Sequence, residues 1–136
     1  MTEKTPVPAE GALTVVDLLG EDLPAPDPSR DRGAVKRRLE ADGAKLVTFT
    51  FAPGQAWPDH EAAHPIVVQC LAGTLDFTVL DDGDADAGAA RPVRLRPGVV
   101  AHLPAHVKHR VDCPADAPDA QNVLLLTMLT GEEVPR

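Results

Sequence analysis

Histidines are the residues of this chain with the most usable chemistry. There are five of them, in two groups that are well separated in sequence: His60 and His64 form the first, and His102, His106 and His109 the second. Neutral imidazole nitrogens bind metal ions, and imidazole changes its charge near neutral pH. If the fold brings the two groups together, they form a metal or ligand pocket. If it does not, they are ordinary surface histidines.

Other kinds of active site are not indicated by the sequence. The single serine, Ser29, lies in a proline-rich stretch, and no phosphate-binding loop is present. Residues 81–90 resemble a calcium loop but lack the ligand spacing and the closing glutamate, so we predict a solvated hairpin tip. Cys70 lies in an apolar run and is predicted to be a small buried side chain, whereas Cys113 is predicted to be a loop thiol.

Length and charge restrict the function further. The 136 residues suit one domain, and a net charge of −8 argues against nucleic acid and against an anionic membrane surface as partners. No apolar run approaches the roughly 18 residues of a transmembrane helix. The first residues lack the pattern of a signal peptide. We therefore expect a soluble, cytoplasmic protein whose partner is a small molecule.

The elements that must position the histidines are short strands. Alternating residues at 35–40, the dipeptide Asp42-Gly43 and the run at 45–51 predict a β-hairpin. Further strands are predicted at 66–71, 74–80, 91–95, 99–103, 106–112 and 121–129. The last run is continuously apolar, which predicts a central strand. Because no segment shows a long helical stripe, the pattern favours an all-β sandwich or barrel.

The chain divides into three parts by composition. Residues 1–32 predict an N-terminal extension that is partly disordered, in which residues 12–19 fit either a short helix or, preferably, an edge strand. Residues 33–130 form the predicted barrel domain, and residues 131–136 form a polar tail.

The histidine regions resemble those of the small single-domain cupins. Six positions match the two cupin motifs, with Gly54, His60 and Gly73 in the first and Gly98, Pro104 and His109 in the second. This resemblance implies a jelly-roll β-barrel, also called a double-stranded β-helix, and a homodimer. It also implies a divalent metal held by three histidines and one glutamate.

Four motif positions differ from the family pattern. Ala62 replaces the second histidine, Ile66 the glutamate, His106 a glycine and Cys113 the final asparagine. The implied ligand set is therefore incomplete, and only the first and last histidines carry over by position.

A nearby histidine offers a substitute ligand. His64 precedes Ile66 by two residues, so on an extended strand both side chains would point to the same side. We therefore predict a metal site formed by His60, His64 and His109, with open positions, suited to Zn²⁺, Fe²⁺, Ni²⁺ or Mn²⁺. Open positions let a metal ion activate water or bind substrate.

Three more residues are predicted to line the pocket. Trp57 is placed to form a wall or to pack in a dimer interface, and His106 to lie at the rim or in an exposed turn. Gln69 turns away by simple alternation, but a bulge would turn it inward, and its setting resembles that of one subgroup of small cupins. The apolar interior is predicted to come from Val68, Cys70, Phe77 and Val111.

Two functions remain open at this point. The first is a metal-binding cupin with enzymatic potential, such as a dioxygenase or an isomerase acting on a small organic molecule. The alternative is a metal-poor cupin that binds a small ligand as a sensor or a storage protein, without catalysis. The altered motif positions favour the alternative, because losing one ligand sharply weakens metal affinity.

Overall fold

The protein is built from antiparallel strands. The computed structural model describes residues 13–80 and 91–131; the predicted hairpin tip at 81–90 lies outside them. The strands are β1 (Ala34–Ala41), β2 (Ala44–Phe51), β3 (Ala56–His60), β4 (Ile66–Ala72), β5 (Leu75–Val79), β6 (Val93–Leu95), β7 (Val100–Leu103), β8 (His109–Asp112) and β9 (Asn122–Leu129). Within the described ranges there is no helix that could cross a bilayer. The all-β prediction is confirmed.

The strands form two sheets that share one core. The larger sheet has the order β1-β2-β9-β4-β7, and the smaller has the order β3-β8-β5-β6. Alternate residues of each sheet supply the core, among them Phe49 and Val68 from the larger sheet and Phe77 and Val111 from the smaller. As predicted, β9 lies at the centre of its sheet, where it pairs with both β2 and β4.

The first hairpin forms as the sequence predicts. Ala41 pairs with Ala44 across the turn, and Gly43 has a φ of 85°. Glycine adopts this conformation without steric cost, but Asp42 does not share the positive φ, so the turn is not of type I′, which needs positive φ at both central residues.

One strand was not predicted. β3 has five residues, contains Pro58 and forms the edge of the smaller sheet, where it pairs with β8 across an irregular register. Proline cannot donate a hydrogen bond to a neighbouring strand, so within sheets it is confined to edges and bulges. A run that contains Pro58 is therefore not recognised as a strand from the sequence. This strand matters because it carries Trp57 and His60.

The predicted edge strand at residues 12–19 is wrong for the described part, residues 13–19, which form no strand. This segment is held by a side chain instead of by a neighbouring strand. The buried guanidinium of Arg38 donates to the carbonyl oxygens of Asp17 and Leu18 at 3.2 and 3.1 Å, and to the hydroxyl of Thr48 at 3.2 Å.

A second buried side chain holds the next part of the extension. The amide nitrogen of Gln55 donates to the carbonyl oxygens of Asp27 and Arg30 at 2.7 and 3.0 Å. An isolated bridge then pairs Arg32 with Ala56 at the start of β3. The extension therefore lies against the strand that carries the first motif histidine.

Candidate functional site

The two motif histidines that carry over by position meet in the fold. His60 ends β3, His109 begins β8, and the two residues are paired across these strands. Their ring centroids lie 5.8 Å apart with an interplanar angle of 89°. The smaller sheet thus brings together residues from the two separate motifs.

His109 is the buried member of this pair. Its ring stacks on Phe77 at 5.4 Å, and its Nδ1 lies 3.0 Å from the carbonyl oxygen of Val107. Because a carbonyl oxygen only accepts, Nδ1 carries the hydrogen. Burial lowers the pKa of His109, and the neighbouring His60 lowers it further, against an opposing effect of the Val107 hydrogen bond. At neutral pH the ring is therefore neutral, and Nε2 is its acceptor.

A small cavity adjoins the two rings. Its volume is about 10 Å³, which is roughly the space that one water molecule needs. It is lined by Phe49, Trp57, His60, Val68, Phe77, His109, Val111, Leu124 and Leu126. The lining is apolar except for the imidazoles and the indole nitrogen.

Trp57 forms one wall of this cavity. Its ring contacts Phe49 edge-on at 5.0 Å, and the Cζ atom of Arg32 lies 5.4 Å from the ring centroid. The same indole also lines an open groove of about 800 Å³ formed by residues of the segment 25–35. Trp57 therefore lies between the inner cavity and an outer groove.

The predicted three-histidine metal site is not formed. β3 ends at His60 and β4 begins at Ile66, and residues 61–65 between them are not extended as a strand. The extrapolation that placed His64 beside Ile66 therefore fails, and His64 does not line the cavity. Within residues 13–80 and 91–131, no three or more His, Cys, Asp or Glu residues come together in a way that could hold a metal ion.

Gln69 does not line the cavity either. Val68 faces inward, and the residue after it in β4 takes the opposite face because alternation is regular there. The register of β4 shifts only between Cys70 and Ala72, which is beyond Gln69. The bulge that would have turned this side chain inward is thus in the wrong place.

His106 is also outside the cavity lining. It adopts a φ of 64°, at the position where the cupin motif has glycine. Its backbone N–H donates to the carbonyl oxygen of Ala62 at 2.8 Å, and its Nδ1 lies 3.2 Å from Oε2 of Glu61. His106 therefore fastens a turn to a loop and contributes no side chain to the pocket. His102 is exposed on β7.

The two cysteines are both free and both buried. The prediction for Cys70 is confirmed, and Cys113 lies just after β8 outside any strand, as a loop thiol should, although its side chain packs in the core. Burial raises the pKa of each thiol to about 11. These are inert, protonated groups at neutral pH.

Sequence reasoning missed several lining residues. Val68, Phe77 and Val111 line the cavity as predicted, but Cys70 does not. The cavity is also lined by three residues of β2 and β9, namely Phe49, Leu124 and Leu126. The outer groove is lined by Arg32, which lies in the extension. Strand alternation could have identified the first three once the inward face was known, whereas Arg32 carries no local signal.

Comparison with known proteins gives matches in structure but not in sequence. No protein-family model and no curated protein matches this chain. An RmlC-like cupin from Desulfovibrio desulfuricans is 24% identical with a TM-score of 0.62, over 86% of this chain and 97% of its own. A proposed mannose-6-phosphate isomerase from Ralstonia eutropha JMP134 is 23% identical with a TM-score of 0.62, over 86% and 98%.

A third neighbour is more distant in sequence. An RmlC-like cupin family protein with a double-stranded β-helix fold from Methanocaldococcus jannaschii is 12% identical with a TM-score of 0.60, over 86% of this chain and 90% of its own. At such identities the likeness shows the fold alone.

Proposed function

This chain has the cupin fold, and we propose that it binds a small, largely apolar organic molecule inside the barrel without a resident metal ion. The observation that carries the proposal is the state of His109. Its Nδ1–H donates to the Val107 carbonyl oxygen, so Nε2 is left as the acceptor for a hydroxyl or N–H of a ligand. The remaining lining contributes apolar contact.

The donor set does not fit a resident metal. Protein sites for Zn²⁺ and related ions use three or four side-chain ligands, and here only His60 and His109 come together among the described residues. The dioxygenase and isomerase hypotheses were both stated for a metal-binding cupin, so this donor set favours the metal-poor alternative. The likeness to the Ralstonia protein shows only the fold, so it does not support isomerase activity in this chain.

Ligand entry requires a change at the cavity wall. The cavity of about 10 Å³ has room for roughly one water molecule and none for an organic ring. Two lining residues reach the surface: His60 is exposed, and Trp57 is half-buried and also lines the outer groove, so displacement of the indole would connect the cavity to that groove. The class of ligand that suits the lining is an aromatic or branched aliphatic molecule with one hydrogen-bond donor.

The test compares p-cresol with toluene, which lacks the hydroxyl. Binding is followed by calorimetry and by the fluorescence of Trp57, the single tryptophan. We expect p-cresol to bind about tenfold more tightly, as one hydrogen bond to a buried acceptor predicts. His109→Phe should abolish the difference, and His102→Gln, on an exposed position of β7, should retain it. Equal binding of the two probes, or no binding, would overturn the proposal.

The metal hypothesis is tested in the same samples. Elemental analysis after incubation with Zn²⁺, Fe²⁺, Ni²⁺ or Mn²⁺ and desalting should find substoichiometric metal, and p-cresol binding should not depend on the ion. Stoichiometric metal that is lost in both His60→Ala and His109→Ala would instead support the metal-binding alternative.

We also propose that the protein forms the homodimer that the cupin resemblance implied. The edge strand β7 carries Val100, which is 57% exposed, so an unpaired strand edge and an apolar side chain are both open to a second copy of the chain. Light scattering of the purified protein measures the mass, and a monomer at all concentrations would contradict this proposal.

A further inference from the structure

The indole of Trp57 separates two spaces of different chemistry, the apolar inner cavity and the open groove of residues 25–35. We propose that the groove is the second half of one binding site, in which Arg32 receives a carboxylate of the ligand once Trp57 moves aside. This inference rests on the proposed function, because the ligand that donates a hydroxyl to His109 is the one whose other end would carry the carboxylate for Arg32.

The volumes support a shared site. The inner cavity has about 10 Å³ and the groove about 800 Å³, and Trp57 is the residue common to both linings. Moving the indole would join them and leave a space the size of an aromatic ring next to Phe49. An aromatic ligand would thus occupy the space that the Trp57 indole leaves.

Arg32 is positioned to recognise an anion. Its guanidinium lies over the Trp57 ring at 5.4 Å, and its side chain forms no salt bridge with any residue the structure describes. Two other arginines contrast with it, since Arg94 is paired with Asp76 and Arg110 with Asp112. Guanidinium binds carboxylate through paired hydrogen bonds, so an arginine without an acidic partner beside a cavity suits a carboxylate ligand.

The groove wall is held in place by hydrogen bonds from the buried side chain of Gln55 and from the backbone of β3. The amide of Gln55 donates to the carbonyl oxygens of Asp27 and Arg30, and the Ala56 N–H donates to the carbonyl oxygen of Asp31 at 2.9 Å. These contacts fix the backbone on both sides of Arg32 before any ligand arrives. A preorganised wall loses less conformational entropy on binding than a loose one.

The charges of the groove restrict the ligand to a single carboxylate. Asp27 and Asp31 line the groove together with Arg30 and Arg32, so the acidic and basic residues are equal in number. Hydrogen bonds from the hydroxyl and backbone N–H of Ser29 lower the pKa of Asp27, which keeps this carboxylate charged. Asp27 and Asp31 would repel the second negative charge of a dianion, whereas a monocarboxylate can contact Arg32 without approaching them.

The experiment adds one carboxylate to the probe already used. We expect 4-hydroxyphenylacetate to bind about five- to tenfold more tightly than p-cresol, and its neutral amide analogue to bind like p-cresol. Arg32→Gln should remove this gain, so that this variant binds 4-hydroxyphenylacetate no more tightly than it binds p-cresol. Arg37→Gln is the matched control, since it removes the same charge from an exposed residue of β1 outside both spaces.

The outcomes separate the two proposals. If p-cresol does not bind, the proposed function itself fails. If p-cresol binds but the carboxylate adds nothing, or if Arg32→Gln and Arg37→Gln reduce the gain equally, only the present inference is overturned. Trp57→Ala should raise the association rate of p-cresol, measured by NMR line shape, by about tenfold or more as expected for a removed gate. An unchanged rate would show that the indole does not control entry.

Discussion

The Nδ1 atom of His106 lies 3.2 Å from Oε2 of Glu61, and this contact joins the turn before β8 to the loop after β3. The same two strands carry His109 and His60, so the contact fixes the relative position of the paired rings. His106 has a φ of 64°, a left-handed conformation that costs a non-glycine residue about 1 kcal/mol or more. The hydrogen bond of its N–H to Ala62 also helps to hold this conformation.

A double-mutant cycle tests that relationship. Glu61→Ala should lower the free energy of unfolding by about 0.5–1 kcal/mol in the wild type, as expected for a half-buried pair. In the His106→Gly background it should have a smaller effect, because the partner ring is gone. Urea denaturation of the four proteins measures the coupling. A coupling energy of zero would show that the 3.2 Å contact contributes nothing to stability.

Gly73 should tolerate no side chain, because Asn122 occupies the space where a Cβ would lie. A Cβ added there would lie 2.7 Å from Cγ of the buried Asn122, and the residue has a φ of 82°. Gly73→Ala should therefore destabilise the fold by about 2–4 kcal/mol. Gly54→Ala is the matched control, because Gly54 has a φ of 90° with nothing within 4 Å of the added Cβ, so only the backbone cost of about 1 kcal/mol should appear. Equal losses in urea denaturation would exclude the steric clash.

Arg38 should anchor the N-terminal extension. Arg38→Met removes the three hydrogen bonds that its guanidinium donates, one to the buried Thr48 hydroxyl and two to partly buried carbonyl oxygens, so we expect a loss of about 1–3 kcal/mol. Amide hydrogen exchange should then increase in residues 13–23 more than in the strands. Arg37→Met, at the exposed neighbouring position, should change stability by less than about 0.5 kcal/mol. Unchanged exchange in the extension would refute the anchoring role.

The sequence predicted the fold well because the evidence for it is local. Strand alternation, the Asp42-Gly43 turn and the apolar run of β9 each depend on residues close together in the chain. The spacing of Gly54, Gly73 and Gly98 was also informative, since all three adopt positive φ in the fold. The match of these glycines and of His60 and His109 to the two cupin motifs is why the resemblance implied that the two histidines meet.

The site was harder to predict because its details depend on tertiary contacts. His64 was misplaced because the strand was assumed to continue through residues 61–65. Arg32 and Gln55 act through contacts with distant parts of the chain, and neither stands out in composition. The size of the cavity depends on how completely the side chains of the two sheets fill the barrel, which no sequence period records.

The stability of the protein should depend on the protonation of His109. Burial lowers its pKa in the folded state below the ordinary value of 6.5, so the unfolded chain takes up the proton at a higher pH than the folded protein does. The free energy of unfolding should therefore fall as the pH decreases from 6.5 toward the lowered pKa, and His109 should add no pH dependence above that range.

His109→Phe tests this directly, since phenylalanine keeps an aromatic ring against Phe77 but cannot be protonated. We expect its free energy of unfolding to fall less steeply than that of the wild type between about pH 7.5 and about pH 5.5, where carboxylates contribute little because their ordinary pKa values are near 4. The other histidines are common to both proteins, so the difference between the two slopes reports on His109. Urea denaturation at a series of pH values measures the slopes, and identical slopes would mean that the buried imidazole takes up its proton at the same pH in both states.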